Sequence, residues 1–348
     1  MADQPTSPFD LPSIAPLDDT AAEAARARWA TRAKPPGSLG QLEDVAISLA
    51  AITGTCPPPV VARPAVVVFA ADHGVVADGA SAWPSDITGL MVHAMAGGVA
   101  AINTFATTVG AEVALVDVGV AGDLTHLPGV RHRKVRPGTA SLAHGPAMTA
   151  AEAAAAVTVG IDLANELIAT GVDCLVAGDM GIGNTTPSAI LIGILAGALP
   201  DTVTGTGAGL PADQLGHKTA LVAAAMDRAA GTTDPLALLA EVGGLEIAAM
   251  AGLYLGAAAA RVPFIIDGVI AASAACVADA LVPGAASHGL AGHLSTEPAA
   301  TVALKHLGLE PLLDLRLRLG EGTGACLAIP LVQAAARALT DMADLPEA

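Results

Sequence analysis

Aromatic residues are nearly missing: four Phe, two Trp and one Tyr in 348 residues. So few rings offer no stacking platform for single-stranded nucleic acid. The core must instead be built from Ala, Val, Leu, Ile and Gly, which bring backbones close together in many layers. Positive charge is also scarce. Sixteen Lys and Arg stand against 33 Asp and Glu, a formal net charge of −17, which argues against a broad phosphate-neutralising surface for nucleic acid. Long unbroken apolar runs are absent. Ile247 to Ala260 is bounded by Glu246 and Arg261, and Ala189 to Pro200 is shorter, whereas a bilayer span needs about 20 apolar residues; no membrane span is expected. The four cysteines, Cys56, Cys174, Cys276 and Cys326, are far apart and suit a reducing compartment better than a disulfide or zinc framework. The opening MADQPTSPFD lacks the basic-then-apolar pattern of a signal peptide, so cytoplasmic residence is expected. No HExxH, GxSxG, GxGxxG or Walker loop occurs, and no metal or cofactor is expected.

What is there is apolar and strongly patterned. Hydrophobic residues make up 53% of the chain and charged residues 14%, which excludes general disorder. Pro5, Pro8, Pro12 and Pro16 predict a poorly ordered arm over 1–17. A helix capped by Asp18 or Asp19 follows, broken at Lys34 to Gly40, with Ser38 placed to cap the next helix. From residue 64 the pattern changes. PAVVVFAADHG reads as a buried parallel strand, followed by a helix over 85–109 and a second strand, AEVALVDVGV. A helix over 149–170 leads into strand VDCLVAGDMG, and VPFIIDGV and GAASHG are later strand candidates before a last helix over about 323–342. Strands alternating with long helices predict an α/β fold, a doubly wound, Rossmann-like parallel sheet with helices on both faces. The basic cluster Arg131 to Arg136 reads as a solvated turn.

Ligands in such sheets sit beyond the carboxyl ends of the strands. Polar clusters fall there at Asp72-His73, Gly178-Asp179, Asp267-Gly268 and Ser287-His288. GDMGIGNTTPSAIL (Gly178 to Leu191) opens an apolar helix; it reads as a phosphate cradle or as a Gly-rich turn with an Asn/Thr cap. TGTGAGL (Thr204 to Leu210), ahead of the helix bearing Lys218, reads equally as a second anion nest or as a flexible loop. In RLGEGTG, Glu321 is flanked by glycines at the start of the last helix. It is either a dipole-stabilised acid or a general base tuned by desolvation. Glu241 and Glu246 flank Gly243-Gly244, where backbone geometry is the safer reading. His73 reads as a strand-end hydrogen bonder or a site residue, and the spacing of His288 and His293 gives little support to a metal.

Six segments in this order, KPPGSLGQLE, FAADHGV, GDMGIGNTT, EVGGLEIAAMAG, IIDGVIAAS and PLLDLRLRLGEGTGACLAIPL, closely resemble the nicotinate-nucleotide–dimethylbenzimidazole phosphoribosyltransferases. The likeness runs from about residue 18 to 340. It implies transfer of phosphoribose from nicotinate mononucleotide to 5,6-dimethylbenzimidazole, giving α-ribazole 5′-phosphate and nicotinate with inversion at the anomeric carbon, in cobalamin nucleotide-loop synthesis. The resemblance makes Glu321 the catalytic base, beside Asp179. It gives phosphate and ribose to Gly181, Ile182, Gly183, Asn184, Thr185, Thr186, Gly205, Gly207, Lys218 and Arg318. The base pocket it implies comprises Ser81, Trp83, Leu90, Met91, Leu319 and Gly320. It further implies a large α/β domain over 60–304, a small helical domain from 18–59 and 305–348, and a homodimer whose partner supplies Lys34, Gly37 and Ser38. Three departures stand out: Asp179 replaces the family's usual Glu, Trp83 its Tyr and Leu90 its Gln. The last two border the implied base pocket and suggest a shifted preference among benzimidazoles, purines or phenols. A non-catalytic nucleotide-binding regulator is the competing class.

Overall fold

Pro64–Ala71 forms strand β1, and all eight of its residues are buried. Ala65, Val67, Phe69 and Ala71 face one apolar cluster, while Val66, Val68 and Ala70 face a second. A strand covered on both faces reads as an unbroken apolar run, which is why it is legible in sequence. The computed structural model describes residues 10–345. Its sheet also contains β2 (Glu112–Gly119), β3 (Val130–His132), β4 (Cys174–Met180), β5 (Phe264–Ile266) and β6 (Gly289–Ala291). The order is β3-β2-β1-β4-β5-β6, with every pair parallel. This is the doubly wound order, with its reversal between β1 and β4.

On one face lie α5 (Ala150–Ala169), α6 (Thr185–Ala196), α7 (Pro200–Val203), α8 (Leu215–Ala229), α9 (Pro235–Val242), α10 (Leu245–Ala259), α11 (Val269–Leu281) and α12 (Pro298–Leu307). The opposite face carries α1 (Asp19–Thr31), α2 (Gln41–Thr53), α3 (Asp86–Ala96), α4 (Ala101–Val109) and α13 (Thr323–Asp341). The helices from the two chain ends therefore share one core with α3, α4 and the sheet. Arg32 ties them together, donating to the carbonyl of Leu339 and to the Asp344 carboxylate. A boundary at residue 305 cuts through α12, whose Leu307 packs on the other face and which ends at left-handed Gly308.

Several local expectations are revised. Residues 1–9 lie outside the described residues, but 10–17 do not form a loose arm: Leu11 and Ile14 pack against the core, and Arg261 donates to the Pro16 carbonyl. Asp18 does cap α1, accepting from the Ala21 amide at 2.9 Å. Ser38 does not cap α2; Gly40 occupies that position, and Glu43 accepts from the Leu39 amide. The helix expected over 85–109 is two helices, separated by the Gly97-Gly98 turn with Gly98 at φ +76°. The cluster Arg131 to Arg136 begins within the edge strand β3, and both Arg131 and Arg133 pair with Glu166. GAASHG forms a short 3-10 turn that precedes β6.

By length and composition, two segments among the described residues could cross a membrane, Asp86–Val109 and Thr323–Asp341. The first is the broken α3–α4 pair. The second, α13, packs against α2 and α4 and buries Ala325, Ile329, Val332 and Ala336 in the core.

Candidate active site

β1, β4, β5 and the extension of β6 each deliver a polar side chain at the carboxyl edge of the sheet: His73, Asp179, Asp267 and His293. Two adjoining clefts open there, each about 500 Å³ counting its mouth, and they share Asp179, Asn184, Thr185, Gly207, Ala208 and Leu319. The first continues to His293, Ser295, Glu297, Arg318 and Gly320. The second continues to Ser81, Gly181, Ile182, Gly183 and Lys218.

The 181–185 turn ends β4 and starts α6. Thr88 Oγ1 accepts from the Ile182 amide at 3.1 Å and the Gly181 carbonyl from the Asn184 amide at 3.2 Å. The amides of Gly183 and Thr185 have no protein acceptor among the described residues, so they are available to an anion at the positive end of α6. Lys218 reaches the same place from α8. Its Nζ donates to Thr185 Oγ1 at 2.8 Å and to the Gly205 carbonyl at 2.9 Å. Burial lowers its pKa to about 8, opposed by the Glu297 carboxylate. Glu297 accepts from the Gly207 amide at 2.8 Å and so fastens the 204–210 loop, while Arg318 Nη1 donates to the Gly207 carbonyl.

Asp179 is the acid shared by both clefts. Burial raises its pKa to about 8, helped by the Asp267, Glu246 and Glu321 carboxylates and opposed by the Asn184 amide donating to Oδ2 at 2.9 Å. A neutral Asp179 at ordinary pH does not repel a bound anion. Below the turn, His73 Nε2 and Glu246 Oε1 lie 2.7 Å apart with both side chains fully buried. Burial favours neutral His73, but the Glu246 carboxylate outweighs it and the imidazole pKa is raised. A Cβ at Gly181 would lie 2.6 Å from the Ala71 carbonyl oxygen and 3.2 Å from His73 Nε2. Glycine at 181 therefore lets the turn rest on this pair.

Glu321 sits at the centre of a left-handed run: φ is +87° at Gly320, +61° at Glu321 and +82° at Gly322. That conformation costs a non-glycine residue on the order of 1 kcal/mol. The turn is seated by the Glu321 amide donating to the Asp179 carbonyl at 3.2 Å, and a Cβ at Gly178 would come within 2.5 Å of the Glu321 carbonyl oxygen. The carboxylate reaches the start of α4, where Oε2 accepts from the Ile102 amide at 3.2 Å. Burial raises its pKa, the Ile102 amide lowers it and Asp267 raises it, leaving it above the ordinary range. Glu321 is thus a buried acid of raised pKa standing beside the clefts.

Other expected residues lie elsewhere. Glu321, only 2% exposed, stands beside the clefts rather than in their walls. Thr186 is fully buried in α6, because it has already turned into the helix. Gly205 contributes its carbonyl to Lys218 from behind the wall. Trp83 is half exposed on the rim, its Nε1 donating to the Ala208 carbonyl at 3.0 Å. Met91 packs towards the core, and Leu90 lines a different cleft, because successive residues of α3 point in different directions. Lys34 is held within its own elbow, 2.6 Å from Glu43 Oε1 and 5.0 Å over the Trp29 ring. Gly37 and Ser38 share that elbow and line neither cleft. Among the described residues no group of three or more His, Cys, Asp or Glu is arranged to hold a metal.

Sequence reasoning reached Ala208 only as part of the Thr204 to Leu210 loop, gave Ser295 and Glu297 no role in the site, and weighed His293 only as a metal ligand. His293 is fixed by the Asp267 carboxylate 3.3 Å from its Nε2 and by close packing on Gly324. His293, Ser295 and Glu297 lie together in the stretch HLSTE.

The phosphoribosyltransferase family model DBI_PRT matches residues 14–348. A nicotinate-nucleotide–dimethylbenzimidazole phosphoribosyltransferase from Salinispora tropica is 49% identical, covering 97% of this chain and 96% of that protein. The protein of the same name from Thermus thermophilus is 49% identical over 95% and 98%. A crystal structure of the Thermus thermophilus enzyme superposes with a TM-score of 0.90 at 48% identity, covering 94% and 97% of the two chains. The chain belongs to the nicotinate-nucleotide–dimethylbenzimidazole phosphoribosyltransferase family. As a member of this family it is an enzyme, a pentosyltransferase. The clefts hold free amides, a buried lysine and one carboxyl of raised pKa, Asp179.

Proposed function

We propose that this phosphoribosyltransferase acts in cobalamin biosynthesis and moves phosphoribose from nicotinate mononucleotide to 5,6-dimethylbenzimidazole or a close relative of that base. The observation that carries the reading is the convergence of the Gly181–Thr185 turn, Lys218 and Asp179 on one cleft, with Glu321 held at the end of the same strand. The turn amides and Lys218 bind the phosphate, with Arg318 at the mouth of the adjoining cleft. Ser81, Leu319 and Gly320 wall the space left for a flat base.

One azole nitrogen attacks the anomeric carbon from the face opposite the pyridinium, so a carbon–nitrogen bond forms as the glycosidic bond breaks with inversion. The electron pair of the broken bond returns to the pyridine nitrogen of nicotinate. Glu321 takes the proton from the second azole nitrogen, a role that suits a carboxylate whose pKa burial has raised. Asp179, neutral and bonded to Asn184, orients the turn and can donate to a substrate oxygen. The active species in this proposal is a cytoplasmic homodimer, and light scattering giving twice the chain mass supports that part.

The decisive experiment incubates the protein with nicotinate mononucleotide and a panel of benzimidazoles, purines and phenols, and quantifies nicotinate and the α-ribotide products. Release of nicotinate with dimethylbenzimidazole supports the proposal; no release with any base overturns it. Equal use of adenine, phenol and dimethylbenzimidazole would remove the idea of a shifted base preference.

A further inference from the structure

A separate cleft opens beyond the ends of β1 and β2, between α3 and the loop after β2, with Asp72, Asp86, Leu90 and Asp123 in its wall. At this cleft two exposed imidazoles meet: His93 from α3, itself in the wall, and His126 from the loop. Their Nε2 atoms are 3.3 Å apart, and the rings stand at 45° with centroids 5.4 Å apart. The tautomer of His93 is set locally. Its Nδ1 lies 2.8 Å from the Gly89 carbonyl, and a carbonyl only accepts, so Nδ1 carries the proton and Nε2 presents its lone pair to His126.

Two imidazole nitrogens 3.3 Å apart match a metal-binding geometry. A tetrahedral ion with metal–nitrogen bonds of about 2.05 Å holds its two imidazole nitrogens about 3.3 Å from each other. The surroundings are negative. Asp72 and Asp86 line the cleft, and hydrogen bonds from the Thr125 hydroxyl and amide hold the Asp123 carboxyl below its usual range, with His126 and Lys134 adding to that effect. Imidazole pairs favour zinc, nickel and copper over magnesium and calcium, which take oxygen ligands.

We propose that His93 and His126 form an exchangeable site for a borderline divalent transition-metal ion. Because no third His, Cys, Asp or Glu completes the set among the described residues, water fills the remaining positions and affinity is micromolar rather than structural. Occupancy pins α3 to the loop after β2 across the mouth of this cleft.

The test titrates untagged full-length protein with zinc by calorimetry at pH 7.5, beside His93→Gln, His126→Gln and His306→Gln, the last an exposed control on α12. Expected are one zinc per chain at micromolar Kd, at least tenfold weaker binding in each of the first two variants, and no change in the control. Copper(II) resonance on the wild type should report two nitrogen ligands, a readout needing no variant. Binding no tighter in wild type than in His126→Gln, or a copper signal with fewer than two nitrogens, would overturn the site and leave only an imidazole–imidazole hydrogen bond.

Discussion

Asp179 and Glu321 are acids placed where ionisation is costly, and that cost can be measured. The folded pKa of Asp179 is raised from 3.8 to about 8. Its folded-state contribution is therefore intact below the ordinary value and is lost as pH rises towards 8. Asp179→Asn should leave stability near wild type at pH 4 and exceed it by ~3–5 kcal/mol at pH 8, read from urea midpoints at the two pH values. A gain equal at both pH values would mean that Asp179 is ionised throughout. Glu321→Gln keeps the acceptor for the Ile102 amide but loses the base. We expect kcat to fall by about 10²–10⁴-fold with KM for nicotinate mononucleotide within threefold of wild type. His73 has its imidazole pKa raised by Glu246, so the pair stabilises fully below the ordinary imidazole value and fades as pH rises through the raised one. Glu246→Ala removes that partner, so it should destabilise the fold at acid pH and abolish the fade with rising pH, read from urea midpoints at several pH values.

At the scale of elements, α5 and α10 make the tightest helix contact in the molecule. Cβ atoms placed on Gly160 or Gly252 would come within 1.9 Å of the opposing backbone carbonyl. Gly252→Ala must push the helices apart, with an expected loss of at least ~2 kcal/mol. Gly216, exposed near the start of α8, would meet nothing within 4 Å, so Gly216→Ala should gain ~0.5–1 kcal/mol. Thermal unfolding of the pair checks both signs. Legibility followed the same physics. β1 and β4 were readable because burial on both faces demands continuous apolar residues. β3 was hidden because it is three residues long at an exposed edge, with charged side chains paired to Glu166. The break between α3 and α4 was hidden because Gly97-Gly98 inside an apolar run resembles helix interior until the left-handed φ at Gly98 is seen.

Over the whole molecule, a net charge of −17 opposes an anionic mononucleotide at long range, while in the proposed function the turn amides and Lys218 attract it at close range. Salt screens the first interaction more than the second, because the binding groups are buried. Raising ionic strength from about 10 to 150 mM, across which the Debye length falls from about 30 to 8 Å, should leave kcat/KM for nicotinate mononucleotide constant or raise it. A steep fall would reveal electrostatic attraction by an external positive patch.

The sequence by itself determined the parallel sheet, the Gly181–Thr185 turn and the Glu321 turn, because each rests on local grammar: apolar runs, glycine spacing and a helix start. It also carried the family, through six ordered segments. Only the tertiary structure decided that the terminal helices share a core with α3 and α4, that Leu90 faces a different cleft from Asp179, and that His73 and Glu246 meet under the turn across 173 residues of chain. Those facts depend on which distant residues are brought within a few ångströms and cut off from water, and burial is what changes an ordinary Asp, Glu or Lys into one with a shifted pKa.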